Sequence, residues 1–313
     1  MKNPLILGIV GPTAVGKSAV AERVATALGG EIVNADSMQV YRGMDIGTAK
    51  TPPAERAVVH HCLDLVDPGT PYSAALYQRD ARGAIESAIH RGLTPVLAGG
   101  TGLYVRAALD EMDFPAGDQA SKIRAAIEDR LAGGGANALY AELAAVDPSS
   151  ARLIHPNNVR RVVRAMEMHL QGDSYAEQAA GFARREFHYS GTLVVGLDMD
   201  RAALYERIDR RVDDMLASGL IAEVRRLLDR GLLDALTAAQ AIGYKELVPV
   251  VREGTSLEEA ATTIKRSTRR YAKRQLTWFR ADPRIAWLDV TELSVSETVA
   301  LVLDLLESSE HSA

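Results

Sequence analysis

The sequence predicts an α/β fold, a parallel sheet flanked by helices and interrupted by a small helical insertion domain. Three observations lead there. Short apolar runs at Leu5–Val10, Glu31–Ala35 and Pro95–Ala98 alternate with helical patterns at Ser18–Leu28 and Leu76–Arg91, as parallel strands joined by crossover helices do. Each run leads into a polar loop, Gly11–Ser18, Asp36–Gln39 or Gly99–Gly102, and ligand groups gather at the carboxyl ends of such strands. From Asp113 onward the strand pattern gives way to helical periodicity and does not return until Gly191.

The remaining elements follow in order. Phe114–Asp118 reads as a linker. Helical patterns over Ser121–Leu131, Ala136–Ala145 and Asn157–Leu170 are broken by Gly133-Gly134-Gly135 and by Asp147-Pro148. This places an insertion at 113–187 within a core made of 1–112 and 188–313. Gly191–Leu197, rich in Val and Leu, is expected to rejoin the parallel sheet. Helices are expected over Arg201–Ser218, Ile221–Arg230, Ala238–Val251, Leu257–Phe279 and Ser294–Leu306, with a strand at Ile285–Asp289. The tail from Ser308 is expected to fray.

With 47% hydrophobic and 25% charged residues in 313, the chain can bury a proper core and stay in solution. No apolar run reaches the ~20 residues needed to cross a bilayer, and the N-terminus leads straight into the first strand. The single cysteine, Cys62, allows no intrachain disulfide. These features lead us to expect a cytoplasmic protein, a monomer with no membrane partner. The net charge of −5 argues against a uniformly basic surface. It does not exclude a nucleic-acid partner, because seven basic residues and no acidic one lie between Lys265 and Arg280.

The first loop, Gly11-Pro12-Thr13-Ala14-Val15-Gly16-Lys17-Ser18, fits G-x-x-x-x-G-K-[ST] between a strand and a helix. The fold class is therefore P-loop NTPase-like. Its backbone N–H groups and helix end suit a phosphate, Lys17 adds a mobile cation, and the Ser18 hydroxyl can ligate Mg²⁺. Asp36, at the next strand end, can act as a base or help hold a metal, or can simply cap a turn. Thr101 offers a hydroxyl among glycines, or an N-cap for a helix from Leu103. The third strand ends in Gly99, where a motor ATPase would carry the acid that holds Mg²⁺ and positions water. No guanine-reading N-K-x-D is present, so neither a motor nor a GTPase switch fits. At His60-His61-Cys62 adjacent histidines without a second cysteine make a poor metal site; one histidine is expected to pack and the other to face a polar partner.

Arginines 160, 161 and 164 share one helix face, and Arg207, Arg210 and Arg211 form a second group. In the helix from Leu257, the side chains of Lys265, Arg266, Arg269, Arg270, Lys273 and Arg274 cover about half the circumference, opposite Ile264, Tyr271, Gln275 and Trp278. Such a helix can pack by one side and present cations to phosphates by the other.

Taken together, Gly11–Ser18, Ala35–Tyr41, Gly99–Tyr104, Arg160–Arg164 and Ala241–Glu246 resemble the tRNA dimethylallyltransferase family of bacterial type, in order and over nearly the whole chain. That resemblance implies transfer of a five-carbon prenyl group from dimethylallyl diphosphate to the exocyclic amine of the adenosine just 3′ of the anticodon, without ATP consumption. By resemblance, Gly11 to Ser18 hold the diphosphate, with Mg²⁺ on Ser18. Asp36 is the general base, and Thr101 and Arg211 neutralise the leaving group. Asp36, Ser37, Met38, Gln39, Thr101, Arg124, Arg160, Arg161, Val162, Val163, Arg164, Gln240, Ala241, Ile242, Gly243, Tyr244 and Lys245 contact the anticodon stem-loop, with the target base flipped out. Two rivals are a small-molecule or nucleoside kinase using the same loop, and an RNA-binding protein with a vestigial nucleotide site. The basic helix weighs against the first, and intact Lys17, Ser18 and Asp36 weigh against the second.

Overall fold

The computed structural model describes residues 5–114, 122–235 and 237–310. It divides into two compact units. One draws on residues up to Tyr72, Leu76–Leu109 and the chain from Phe187 onward; the other comprises Ser73–Ala75 and Asp110–Glu186.

The first unit is built on a six-stranded, fully parallel sheet: β1 (Ile6–Val10), β2 (Glu31–Asn34), β3 (His60–His61), β4 (Pro95–Gly99), β5 (Thr192–Asp198) and β6 (Ile285–Asp289). Their spatial order is β3-β2-β4-β1-β5-β6. The segment after the insertion does rejoin the sheet, with Gly8 opposite Val194 and Ile9 opposite Val195. Every residue of β1, β2 and β4 is buried, as strands covered on both faces require. Helices α1 (Lys17–Ala27), α2 (Ala74–His90) and α3 (Gly102–Leu109) belong to the first half of the sheet. Helices α8 (Arg201–Ala217), α9 (Leu220–Leu228), α10 (Tyr244–Glu253), α11 (Leu257–Arg280) and α12 (Val295–Glu310) belong to the second. Leu7, Ile9, Val24, Val96, Val195, Leu197, Leu204, Ile208 and Val302 pack together in its main core. β1 stands next to β4 on one side and β5 on the other, so the loop leaving it opens where the sheet's winding reverses. That is where such sheets form their ligand crevice.

The second unit is all helical: α4 (Lys122–Val146), α5 (Pro148–Leu153), α6 (Val159–Gln171) and α7 (Tyr175–Ala183). α4 is two helical segments joined at Gly135, whose φ of 78° and ψ of 172° leave the helical region. Asp147, Asn158 and Ser174 cap the next three helices, and Gly172, at φ 89°, stops α6. Ile127, Leu139, Leu143, Ile154, Val162, Val163 and Met166 form its core.

Four expectations need correction. His60 and His61 form a short edge strand, and each ring reaches a carboxylate: His60 Nε2 lies 2.6 Å from Glu22 and His61 Nε2 lies 2.8 Å from Glu31. The His60 side chain is buried, as expected of one of the pair, but it too meets a polar partner. Helices α5 and α7, too short for a clear apolar period, were not anticipated. The continuous helix expected over Ala238–Val251 is instead a 3-10 turn at Ala238–Gln240 followed by α10, because Gly243 at φ 95° cannot continue a helix. The last helix continues through Ser308 to Glu310. Residues 115–118 of the expected linker and 311–313 of the tail lie outside the described residues.

Candidate active site

The loop between β1 and α1 is shaped by three positive φ angles, at Gly11 (145°), Ala14 (67°) and Gly16 (109°). Alternating such residues with ordinary ones turns successive N–H groups toward one point, an anion-binding nest. At Gly11 a Cβ would also overlap the Leu197 carbonyl oxygen on β5, so only glycine fits. No side chain caps the start of α1, which leaves its first N–H groups for a ligand. Lys17 folds back to donate to the Pro12 carbonyl at 2.6 Å. Burial, and after it the Arg211 charge, push its pKa down to about 7, with Asp36 only partly offsetting them. Burial likewise holds Arg211 below its ordinary value, with Asp36 opposing. Two desolvated cations beside one carboxylate make a site short of negative charge.

Asp36 leaves β2 into a tight turn in which the Met38 N–H donates to its Oδ1 at 2.8 Å. That is the capping role weighed from sequence, and it occupies one carboxylate oxygen. Thr101 sits at the start of α3, where its carbonyl accepts from Tyr104 and Val105. Its hydroxyl accepts from the Ser37 N–H at 3.0 Å and donates to the Ser37 Oγ at 3.2 Å. Thr101 therefore braces the Asp36 loop, and it lines neither of the cavities described next.

Two cavities, of about 460 and 490 Å³, share a wall of Thr13, Ala14, Asp36, Thr48 and Arg211. The larger is lined by Gly16, Lys17, Ser18, Asn34, Gln39, Gly99, Gly100, Arg207 and Arg210. The smaller is lined by Ser37, Met38, Ile208, Met215, the Gln240–Lys245 segment and, from α11, Ile264, Arg270, Tyr271 and Arg274. Asp36 and Arg211 thus stand between a phosphate-loop chamber and a chamber of mixed apolar and cationic walls.

Two residues that sequence reasoning did not assign hold this arrangement together. Gln275, 5% exposed, accepts from the Thr13 N–H and donates to the Gly100 carbonyl, both at 2.8 Å. It joins α11 to two of the three strand-end loops. Glu223, 1% exposed, accepts from the N–H groups of Asp45, Ile46 and Gly47 at 2.9–3.2 Å and from the Tyr244 hydroxyl at 2.6 Å. The loop so fixed carries Thr48, whose carbonyl accepts from Gln39 at 3.0 Å and from Arg211 at 3.5 Å. A signal for Glu223 was present: it falls in the apolar stripe Leu220, Val224, Leu227 of α9, where a carboxylate needs donors.

The expected RNA-facing residues divide by exposure. On α11, Arg266, Arg270, Lys273 and Arg274 are exposed, whereas Lys265 pairs with Asp213 at 2.7 Å and Arg269 with Asp209. The ridge is therefore narrower than the sequence of α11 alone suggests, because α8 neutralises one edge. Trp278, assigned to the packing side, is 46% exposed, its indole lying against Gly102. Tyr244 and Ala241 are buried, and Gln240 and Lys245 exposed. In the second unit Arg160 and Arg161 are exposed. Arg164 and Arg124 lie 2.7 and 3.6 Å from the buried Glu167. Val162 and Val163 point into the core, so their side chains are unavailable to a partner.

Similarity to known proteins extends over most of the chain. The family model for IPP transferase matches residues 39–282. A tRNA dimethylallyltransferase of Geobacillus thermodenitrificans is 49% identical over 92% of this chain and 91% of its own. One from Streptomyces coelicolor is 45% identical over 97% and 96%. Among solved structures, the tRNA isopentenylpyrophosphate transferase of Staphylococcus epidermidis superposes with a TM-score of 0.71 at 39% identity, covering 98% of this chain and 99% of that one. A eukaryotic dimethylallyltransferase acting on tRNA gives 0.80 at 28% identity, over 97% and 80%. A match over most of the chain in sequence and in fold makes this chain a member of the IPP transferase family.

Proposed function

We propose that the protein transfers a dimethylallyl group from dimethylallyl diphosphate to the N6 amine of the tRNA adenosine 3′-adjacent to the anticodon, releasing diphosphate. The observation that carries this reading is the shared wall: Asp36 and Arg211 border both a phosphate-loop cavity and a cavity edged by exposed cations. A leaving diphosphate in the first and a flipped base in the second would meet there. The five-carbon group passes between them as the bond from its first carbon to the diphosphate oxygen breaks and the bond to N6 forms.

In this scheme the loop amides, Lys17 and Arg211 take up the charge that develops on the departing oxygens. Asp36 receives the amine proton through the oxygen its turn leaves free. Thr101 acts through Ser37 to hold that loop. Ser18, exposed on the wall of the phosphate-loop cavity, fits Mg²⁺, which takes few protein oxygens when a phosphate supplies others. The ion would add positive charge where the leaving group forms. The RNA would lie along Gln240–Lys245 and the exposed cations of α11, with Arg124, Arg160, Arg161 and Arg164 of the second unit reaching the stem-loop. Working as a cytoplasmic monomer is part of the proposal; among the described residues no helix is long and apolar enough to cross a membrane.

Incubation with labelled dimethylallyl diphosphate, Mg²⁺ and bulk tRNA tests this directly. Label is expected in adenosine, and an Asp36→Ala variant should bind tRNA normally while losing about 10²–10⁴ in turnover. ATP turnover without labelled adenosine would favour a kinase. Near-normal turnover by the variant would remove Asp36 as the base.

A further inference from the structure

Helix α8 carries charge on more than one face. On one, Asp209 and Asp213, a turn apart, pair with Arg269 and Lys265 of α11. On another, Arg207, Arg210, Arg211 and Asp214 line the phosphate-loop cavity. Arg211 is half-buried and reaches the Thr48 carbonyl. Arg207 and Arg210 differ from it: both are exposed, and neither makes a hydrogen bond or ion pair with any described residue. In a chain of net charge −5, with acids spaced along this very helix, two adjacent unpaired arginines at a cavity wall are a departure.

We propose that Arg207 and Arg210 form an outer anion subsite on the phosphate-loop cavity, through which the diphosphate group enters and the free diphosphate leaves. The inference deepens the reading above and rests on it. Three features identify the anion as a small diphosphate rather than RNA. The two arginines line the phosphate-loop cavity only, while the residues expected to meet RNA, Gln240–Lys245, Arg270 and Arg274, line the other. Exposed guanidinium groups bind phosphate oxygens through paired N–H groups without a large desolvation cost. Lys17 and Arg211, both half-buried, line the same cavity, so a stepwise path from exposed to less exposed cations leads an anion inward. Asp214, the one acid on this face of α8, opposes capture and so aids release.

The subsite makes a prediction of opposite sign for two neighbouring substitutions. Binding of inorganic diphosphate with excess Mg²⁺ is measured by titration calorimetry on the full chain, across salt concentrations. Arg207→Gln with Arg210→Gln should weaken binding about tenfold at low salt, and the difference should close above roughly 0.5 M as exposed charges are screened. Asp214→Asn should tighten it two- to threefold by removing repulsion, an order-of-magnitude expectation for an exposed charge a few ångströms from a multivalent anion. tRNA affinity should stay unchanged in both. All three side chains are exposed, so folding is not at stake. A double variant that matches the parent at low salt, or that loses tRNA rather than diphosphate affinity, overturns the subsite while leaving the transferase reading intact. A parent chain that binds no diphosphate at any salt overturns both.

Discussion

At the scale of single residues, the site is an unequal contest between burial and charge at Lys17. Its folded pKa, about 7 against an ordinary value near 10.5, means that much of the free protein carries a neutral amine slightly above neutrality. A diphosphate arriving there, as proposed, would favour the ammonium form and raise that pKa again. The sign follows: affinity is highest when Lys17 is already protonated, and falls as pH rises through 7 because each binding event must then take up a proton. Calorimetric titration near pH 8 in two buffers of different ionisation enthalpy should report uptake of close to one proton, lost in Lys17→Met. The phosphate loop and Asp36 were legible in the sequence because their chemistry is local: eight consecutive residues, or one turn after a strand. Gln275 and Glu223 were not, because their backbone partners lie 175 to 262 and 176 to 178 positions away. A pattern of polarity can mark such a residue as odd without saying which donors meet it.

At the scale of elements, the strands and long helices were legible because burial on both faces and a 3.6-residue period each leave a mark in the sequence. The edge strand β3 did not, since two residues carry no period. The break before α10 depends on the left-handed conformation of one glycine. Glu223 is where an element's packing becomes part of the site: α9 presents it, α10 supplies Tyr244, and the 45–48 loop hangs from both. The Tyr244 ring fills the space a Cβ at Gly47 would need, which fixes the loop sterically as well. Glu223→Ala leaves three N–H groups and a hydroxyl without their acceptor, so unfolding in urea should show a loss of roughly 3 kcal/mol. The turnover of the folded fraction should fall as well, because Thr48 no longer positions Arg211. Tyr244→Phe, which leaves the backbone bonds in place, should cost only about 1 kcal/mol.

At the scale of the molecule, the balance of charge is less informative than its placement. The net −5 gave no warning of a cationic helix, and the cationic helix gave no warning that α8 would cancel part of it. Only four of the six clustered cations remain for a polyanion. Replacing Arg266, Arg270, Lys273 and Arg274 by Gln should flatten the dependence of tRNA affinity on salt, by about 0.7–0.9 in log–log slope for each phosphate no longer neutralised. Replacing Lys265 and Arg269 should barely change that slope and should instead loosen α8 from α11. An unaltered slope in the fourfold variant would remove α11 from the RNA-binding surface.

The amide of Gln275 has a consequence for how such a protein can change over time. It spans two loops with one donor and one acceptor, a length and polarity that glutamate or methionine cannot reproduce. The exposed side of α11 is therefore free to drift, altering which RNA is welcomed. The buried side stays tied to the loop proposed to grip the leaving group. On the proposed reading, substrate preference and chemistry sit on opposite sides of one helix, where the first can be revised without renegotiating the second.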